Sequence, residues 1–157
     1  LSGGVSAGRL DLVPAQLEAA GVSKVFHKVK VKPGKPVWFG TSHDTVVFGL
    51  PGNPVSSMVC FELFVRTALR RLAGLSPAQP TPAAARLARD FEFRGDRPTF
   101  FPGRLDDHPD GPRVTPLDWH GSSDLRSTAD ANAMIHFPAG DQAYRAQQWV
   151  EVYGWAG

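Results

Sequence analysis

The order of polar and apolar positions over residues 1–74 predicts an α/β unit. A glycine-rich segment leads into DLVPAQLEAA, whose apolar positions recur at helical spacing before Gly21. In residues 25–32, every second residue is Val or His, and the residues between them are Phe26 and three lysines. This period of two predicts a strand with one cationic face. The apolar run TVVFGL predicts a strand that is buried on both faces, as in a parallel sheet covered by helices.

A second helix is predicted after the PGNP turn. Asn53 is a plausible N-cap, and Pro54 occupies the first helical position, where proline is preferred. The apolar pattern continues to about Ala73, and Gly74 is a typical helix stop. Because residues 58–65 carry only one charge, we expect this helix to be heavily buried.

The proline-rich segment LSPAQPTPAAA predicts a boundary between two domains, residues 1–76 and 77–157. After it the hydrophobic period changes to two. Five short strands are predicted from ARLARDFEF, TFFPGRL, PRVTPL, NAMIHFPA and QWVEVYGW. Their spacing indicates a small β-barrel or sandwich, so the fold class is α/β followed by all-β.

Composition and charge narrow the functional classes. The single cysteine, Cys60, excludes an intrachain disulfide, and neither a membrane span nor a signal peptide is visible, so we expect a cytoplasmic protein that does not bind membranes. The net charge of +2 divides into +5 over residues 1–80 and −3 over residues 81–157. This modest positive charge suits a small anionic ligand, whereas nucleic acid requires a denser basic patch. The five histidines show no metal-ligand spacing.

The segment SGGVSAGRLD is the first candidate site. It matches neither a P-loop nor a dinucleotide-binding fingerprint. A glycine-rich loop that opens a helix offers free N–H groups to phosphate or another oxyanion, although an ordinary tight turn has the same sequence character. Asp11 is open to two interpretations: it caps the helix, or it is a site residue that binds a magnesium ion or positions a substrate group.

Two further segments have candidate chemistry. KPGKP carries Lys32 and Lys35 on a rigid turn, either as two solvated lysines or as a pair that is stabilised by an anion between them. GLPGNPVS brings a helix N-terminus to the edge of the sheet where α/β folds bind ligands, or is simply a well-formed turn. The second half offers weaker candidates, which either line a cleft or simply lie on the surface: Arg97 and a polar stretch with Ser122, Ser123 and Ser127.

Taken together and in this order, SGGVSAGRLD, KVKPGKP and GLPGNPVSS resemble the molybdopterin molybdenumtransferase family, which includes bacterial MoeA and the gephyrin E domain. The resemblance covers the entire chain. It implies the second half of a three-layer α/β molybdopterin-binding domain, followed by a small C-terminal β-barrel-like domain. It also implies a carboxyl-terminal fragment, whose glycine loop follows a strand absent from this sequence and which is inactive alone.

The family inserts molybdate into adenylylated molybdopterin and releases AMP, with Mg²⁺ as the metal cofactor. The resemblance assigns Asp11, Lys32 and Lys35 to catalysis, with Asp11 also the magnesium ligand. It assigns substrate binding to Gly3, Gly4, Ser6, Pro51, Gly52, Asn53, Arg97 and Ser123. It further implies a homodimer through the full architecture, with a small-molecule substrate and no nucleic-acid partner. The alternative function is a non-catalytic molybdopterin-binding or scaffold module.

Overall fold

The computed structural model describes residues 1–6 and 8–155, and the side chain of Ser127 is outside this description. The elements of the first half are α1 (Val13–Ala19), β1 (Ser23–His27), β2 (Trp38–Ser42), β3 (Thr45–Gly49), α2 (Pro54–Cys60) and α3 (Arg66–Leu72), with a π-helical turn over Phe61–Val65 between α2 and α3. The second half contains β4 (Ala83–Leu87), β5 (Phe91–Phe93), β6 (Thr99–Asp106), β7 (Arg113–Pro116), a 3₁₀ turn (Arg126–Thr128), β8 (Ala133–Phe137), β9 (Gln142–Tyr144) and β10 (Trp149–Gly154).

The sheet of the first half differs from the prediction. The strands β1, β2 and β3 pair in that order, and both pairings are antiparallel. A two-residue loop, His43–Asp44, returns the chain as a hairpin, which only antiparallel strands can use. Parallel contact is limited to a bridge between Ser2 and Leu50 among the described residues of this half. The prediction of a parallel, doubly buried β3 was therefore wrong, and Val46 is 37% exposed.

The predicted strand over residues 25–32 is shorter than its alternation suggests. It ends at His27, because Lys28 has φ of +70° and turns the chain. The predicted apolar face of α1 is also only partly buried: no residue of this helix is fully buried, and Leu12, which precedes it, is 59% exposed. Asp11 is not the N-cap, which is Leu12.

The long helix after the PGNP turn begins and ends as predicted. Asn53 is the N-cap, Pro54 is the first helical residue, Ala73 is the C-cap, and Gly74 follows with φ of +72°. The heavy burial expected over residues 58–65 was wrong in part. The buried side is confined to the first turns, at Val55, Ser56, Val59 and Cys60, whereas Met58 and Phe61 are more than a third exposed.

The second half is a closed barrel of five strands in the order β10–β4–β7–β6–β8. The predicted barrel is thereby confirmed, although ARLARDFEF contains two strands and β9 was missed. The strands β5 and β9 pair separately, and Phe91 and Phe93 stack on Phe137 of the barrel core at centroid distances of 5.1 Å. Core residues alternate with outward-facing residues, as period-two strands require.

No helix among the described residues has the length and apolar character needed to cross a membrane.

Candidate functional site

A cavity of about 480 Å³ lies between the first half of the chain and the loops of the barrel. This volume is within the roughly 300–1,000 Å³ typical of ligand pockets. Nine of the residues that the resemblance assigns to the site line it: Gly4, Ser6, Asp11, Lys32, Lys35, Pro51, Gly52, Asn53 and Arg97. Three motifs that are far apart in the chain therefore share one cavity.

The glycine loop is fixed against the PGNP turn by backbone and hydroxyl contacts. The N–H of Gly3 donates to the carbonyl of Leu50 over 2.9 Å, and the hydroxyls of Ser2 and Ser57 both donate to the carbonyl of Pro51. Gly4 has φ of +67°, and a Cβ there would lie 2.9 Å from Val13 Cγ2. Glycine is required at this position because a side chain would be strained and would collide with α1.

Asp11 closes the glycine loop from its far end. Its Oδ2 accepts a hydrogen bond from the N–H of Gly8 over 2.7 Å, and its own N–H donates to the Gly8 carbonyl over 3.0 Å. The carboxylate thus binds a loop N–H upstream of α1, whereas helix capping would use N–H groups downstream. Asp11 is the acidic residue among the described residues that line the cavity.

The lysine turn is supported from both halves of the chain. The backbone of Lys32 bridges to β6, since its N–H donates to the carbonyl of Pro98 and its carbonyl accepts from the N–H of Phe100. Beneath the turn, Gly34 has φ of +116° and lies against the buried Cys60, whose thiol is 3.5 Å from the Gly34 carbonyl oxygen. Burial raises the pKa of this thiol to about 12, so it remains neutral.

The cavity is cationic. Within the described part of the chain, Lys32 and Lys35 have no ion-pair partner, and both are exposed. Arg97 has its Nε 3.1 Å from Asp96 Oδ1. The hydrogen bond from Arg97, followed by the charge of Arg97 and a smaller contribution from Lys32, lowers the pKa of Asp96. Asp96 therefore stays ionised, and three cations face the cavity against the carboxylates of Asp11 and Asp96.

Two predicted residues do not line the cavity. Gly3 lies behind it, with its Cα 3.5 Å from the position of a Cβ on Gly52. Ser123 is exposed, whereas its neighbour Ser122 lines the cavity and accepts a hydrogen bond from Asn53 Nδ2 over 2.9 Å. The side chain of Ser127 lies outside the described residues. The functional roles of all the predicted site residues stay predictions.

Ser56 and Trp119 also line the cavity. Ser56 ends the GLPGNPVS segment but received no role there, and Trp119 belongs to none of the three motifs. Ser56 is only 4% exposed. Its place three residues after the Asn53 N-cap is the signal that could have identified it, because that position lies in the first helical turn. Trp119 follows β7 in an irregular segment and gives no such signal.

A metal site built by the chain alone is not apparent. The described residues contain no group of three or more His, Cys, Asp or Glu side chains that could hold a metal ion. Mg²⁺, however, is commonly bound by one or two carboxylates together with substrate phosphates. Asp11 fits this limited role, since the hydrogen bond from Gly8 engages only one of its two carboxylate oxygens.

Comparison with known proteins identifies both halves of the chain. Residues 1–71 match the family described as "Probable molybdopterin binding domain", and residues 84–155 match "MoeA C-terminal region (domain IV)". Proteins named molybdopterin molybdenumtransferase from Synechocystis sp. and Bacillus subtilis are 32% and 36% identical over 98% and 96% of the chain. The chain spans only 37% and 35% of their lengths, a little over a third.

Solved structures show the same relationship. A molybdopterin biosynthesis MoeA protein from Pyrococcus horikosii is 29% identical, with a TM-score of 0.78 over 99% of this chain and 36% of the other. A molybdenum cofactor biosynthesis protein from Pyrococcus furiosus is 28% identical, with a TM-score of 0.67 over 92% of this chain and 54% of the other. The chain therefore carries a match to a molybdopterin-binding domain followed by a match to the MoeA C-terminal region, and it is similar over almost its whole length to proteins named molybdopterin molybdenumtransferase.

Proposed function

We propose that this chain contributes an oxyanion-binding site to the insertion of molybdate into adenylylated molybdopterin, with release of AMP. The observation that supports the proposal is the single cavity that Lys32, Lys35 and Arg97 share with the glycine loop and the PGNP turn. The relatives carry the name molybdopterin molybdenumtransferase. The reaction that the resemblance implies handles two kinds of oxyanion, molybdate and phosphate.

The chemistry assigned to the residues follows from their charges. Lys32, Lys35 and Arg97 hold molybdate and the phosphates by charge-assisted hydrogen bonds, which are roughly twice as strong as neutral ones. Fixed cations also stabilise the negative charge that develops when the phosphoanhydride is hydrolysed. Ser56 supplies a neutral hydroxyl donor from the cavity lining.

The glycine loop and the PGNP turn orient the ligand. Gly4 and Gly52 let an anion approach the backbone N–H groups without obstruction by a Cβ. Ser6, Pro51 and Asn53 complete this side of the cavity. Gly3 and Ser123 act indirectly, since neither lines the cavity. Asp11 would hold Mg²⁺ together with phosphate oxygens, and the metal would supply charge neutralisation at the anhydride.

The architecture we propose follows the family. Residues 1–76 belong to the second half of a three-layer α/β domain, and residues 77–157 form a second domain, the barrel. The homodimer and the cytoplasmic location stay predictions that rest on the resemblance and on the sequence.

Calorimetric titration of the chain with molybdate tests the proposal. Replacing a charged hydrogen-bond donor removes about 1.5–3 kcal/mol of binding free energy. Lys32→Ala and Lys35→Ala should therefore each lower the affinity for molybdate by about tenfold or more. Lys30→Ala is the matched control, because Lys30 is an exposed lysine of the same segment that does not line the cavity. Equal affinities in all four proteins would refute the site.

A second measurement separates an enzyme from a binding module. AMP released from adenylylated molybdopterin, with and without molybdate, is followed by chromatography. Molybdate-dependent release that Lys35→Ala abolishes supports the enzyme. Tight binding of the substrate without any release fits the non-catalytic molybdopterin-binding module, and it equally fits the carboxyl-terminal fragment that the resemblance implies is inactive alone.

A further inference from the structure

A second cavity of about 370 Å³ adjoins the first on the barrel side. The two cavities share Lys32 and Trp119, so these two side chains form the boundary between them. Whereas the first cavity is lined by glycines, prolines and cations, the wall of the second contains the aromatic rings of Phe91, Phe93, Phe101 and Trp119.

The aromatic wall is held rigidly. Trp119 packs edge-on against Phe101, with ring centroids 5.2 Å apart and an angle of 90° between the rings. Phe101 in turn contacts Phe91 edge-on at 5.1 Å, and Phe91 stacks on Phe137 of the barrel core. Because this chain of rings ends in the core, Trp119 is positioned before any ligand arrives, and little side-chain entropy remains to be lost on binding.

Trp119 also has an unused donor. Its Nε1 is buried and has no hydrogen-bond partner among the described residues. The indole nitrogens of Trp38 and Trp155 are buried without a partner in the same way, so the inference rests on the ring face of Trp119 and not on its N–H. At the rim, Glu92 and Arg94 largely neutralise one another, with Arg94 Nη2 3.5 Å from Glu92 Oε2.

We infer that the second cavity binds the planar heteroaromatic ring of the ligand whose anionic groups occupy the first cavity. The inference rests on the proposed function and adds a place for the ring. A fused nitrogen heterocycle, either a nucleobase or a pterin, has flat faces that can stack on the aromatic wall. Lys32, which lines both cavities, then lies beside the junction of ring and anion.

Titration of the chain with three probes tests this inference: AMP, a pterin monophosphate and molybdate. Stacking of a base on an aromatic side chain contributes about 1–3 kcal/mol to the free energy of binding. Trp119→Leu should therefore lower the affinity for at least one ring-bearing probe by about tenfold. Molybdate affinity should fall by a clearly smaller factor, because Trp119 also lines the first cavity but molybdate has no ring to stack on it. The ring-bearing probe that loses affinity identifies the ring as nucleobase or pterin.

Two further variants complete the design. Trp119→Phe keeps an aromatic face and removes the N–H, so it should lose less affinity than Trp119→Leu. Trp149→Leu is the matched control, because Trp149 is half exposed on β10 and lines neither cavity. It should leave all three affinities within about twofold of the unsubstituted chain.

The outcomes separate this inference from the proposed function. Unchanged affinity of Trp119→Leu for both ring-bearing probes, or a failure of both to bind the unsubstituted chain, overturns the inference and leaves the lysine site standing. If Trp119→Leu also loses affinity for molybdate, the Trp119→Phe variant decides whether the inference holds. Equal losses of affinity for molybdate and for the ring-bearing probes in Trp119→Phe overturn the inference. Absence of molybdate binding in the unsubstituted chain is instead a failure of the proposed function.

Discussion

Replacing Gly34 by alanine tests whether the lysine turn rests on Cys60. The new Cβ would lie 2.5 Å from Cys60 Sγ, a separation that real Cβ atoms do not show. Cys60 is fully buried and has no room to withdraw. The new side chain also meets a second cost, because φ at this position is +116°, outside the region that residues with a Cβ readily adopt.

The two costs can be separated by a matched control. Gly140 has the same φ of +116°, but a Cβ added there would meet no atom within 4 Å, so Gly140→Ala measures the backbone strain alone. We expect Gly140→Ala to lower the free energy of unfolding by about 1–3 kcal/mol. Gly34→Ala adds overpacking in a buried site, worth about 1–3 kcal/mol more.

The assay is urea unfolding followed by circular dichroism, with the double variant Gly34→Ala/Cys60→Ala included. Removing the thiol should relieve the collision, so the double variant should be more stable than the sum of the single losses by about 1–3 kcal/mol. If Gly34→Ala costs no more than Gly140→Ala, or if the losses are additive, the support of the turn by Cys60 is refuted.

Two other predictions concern stability. Because the pKa of Cys60 is raised from 9.0 to about 12, the unfolded chain loses this proton first as the pH rises. The stability contribution of the neutral thiol is therefore complete below pH 9 and declines from there toward pH 12, by up to about 1.4 kcal/mol per pH unit. Urea titrations from pH 8 to 11 should show a steeper decline in the unsubstituted chain than in Cys60→Ala, and parallel declines would contradict the assignment. In the barrel, Asn132 accepts from the N–H of Leu105 over 2.6 Å and donates to its carbonyl over 2.8 Å. Asn132→Ala should lower the free energy of unfolding by about 1–2 kcal/mol in the same assay, because each hydrogen bond contributes roughly 0.5–1.5 kcal/mol net. An unchanged free energy of unfolding would show that water replaces both hydrogen bonds.

The sequence by itself determined the features that depend on neighbouring residues. The long helix begins after Asn53 and stops before Gly74 because capping, the proline at the first position and the positive φ of glycine are local preferences. The barrel followed from period-two alternation between turns. The three candidate motifs were visible because glycines, prolines and paired lysines are conspicuous within a few residues.

Only the tertiary structure decided which of these segments meet. The backbone of Lys32 bonds to Pro98 and Phe100, and this pairing brings Arg97 to the lysines. Nothing near either segment encodes such a pairing, because it depends on how the barrel packs against the first half of the chain. The same packing selects Ser122 in place of Ser123 and brings Trp119 to the boundary of two cavities. The continuous apolar run of β3 likewise could not distinguish parallel from antiparallel pairing, since burial depends on what covers the sheet and the direction of pairing depends on the hairpin loop. Local preference determined the elements, and long-range contact determined the site.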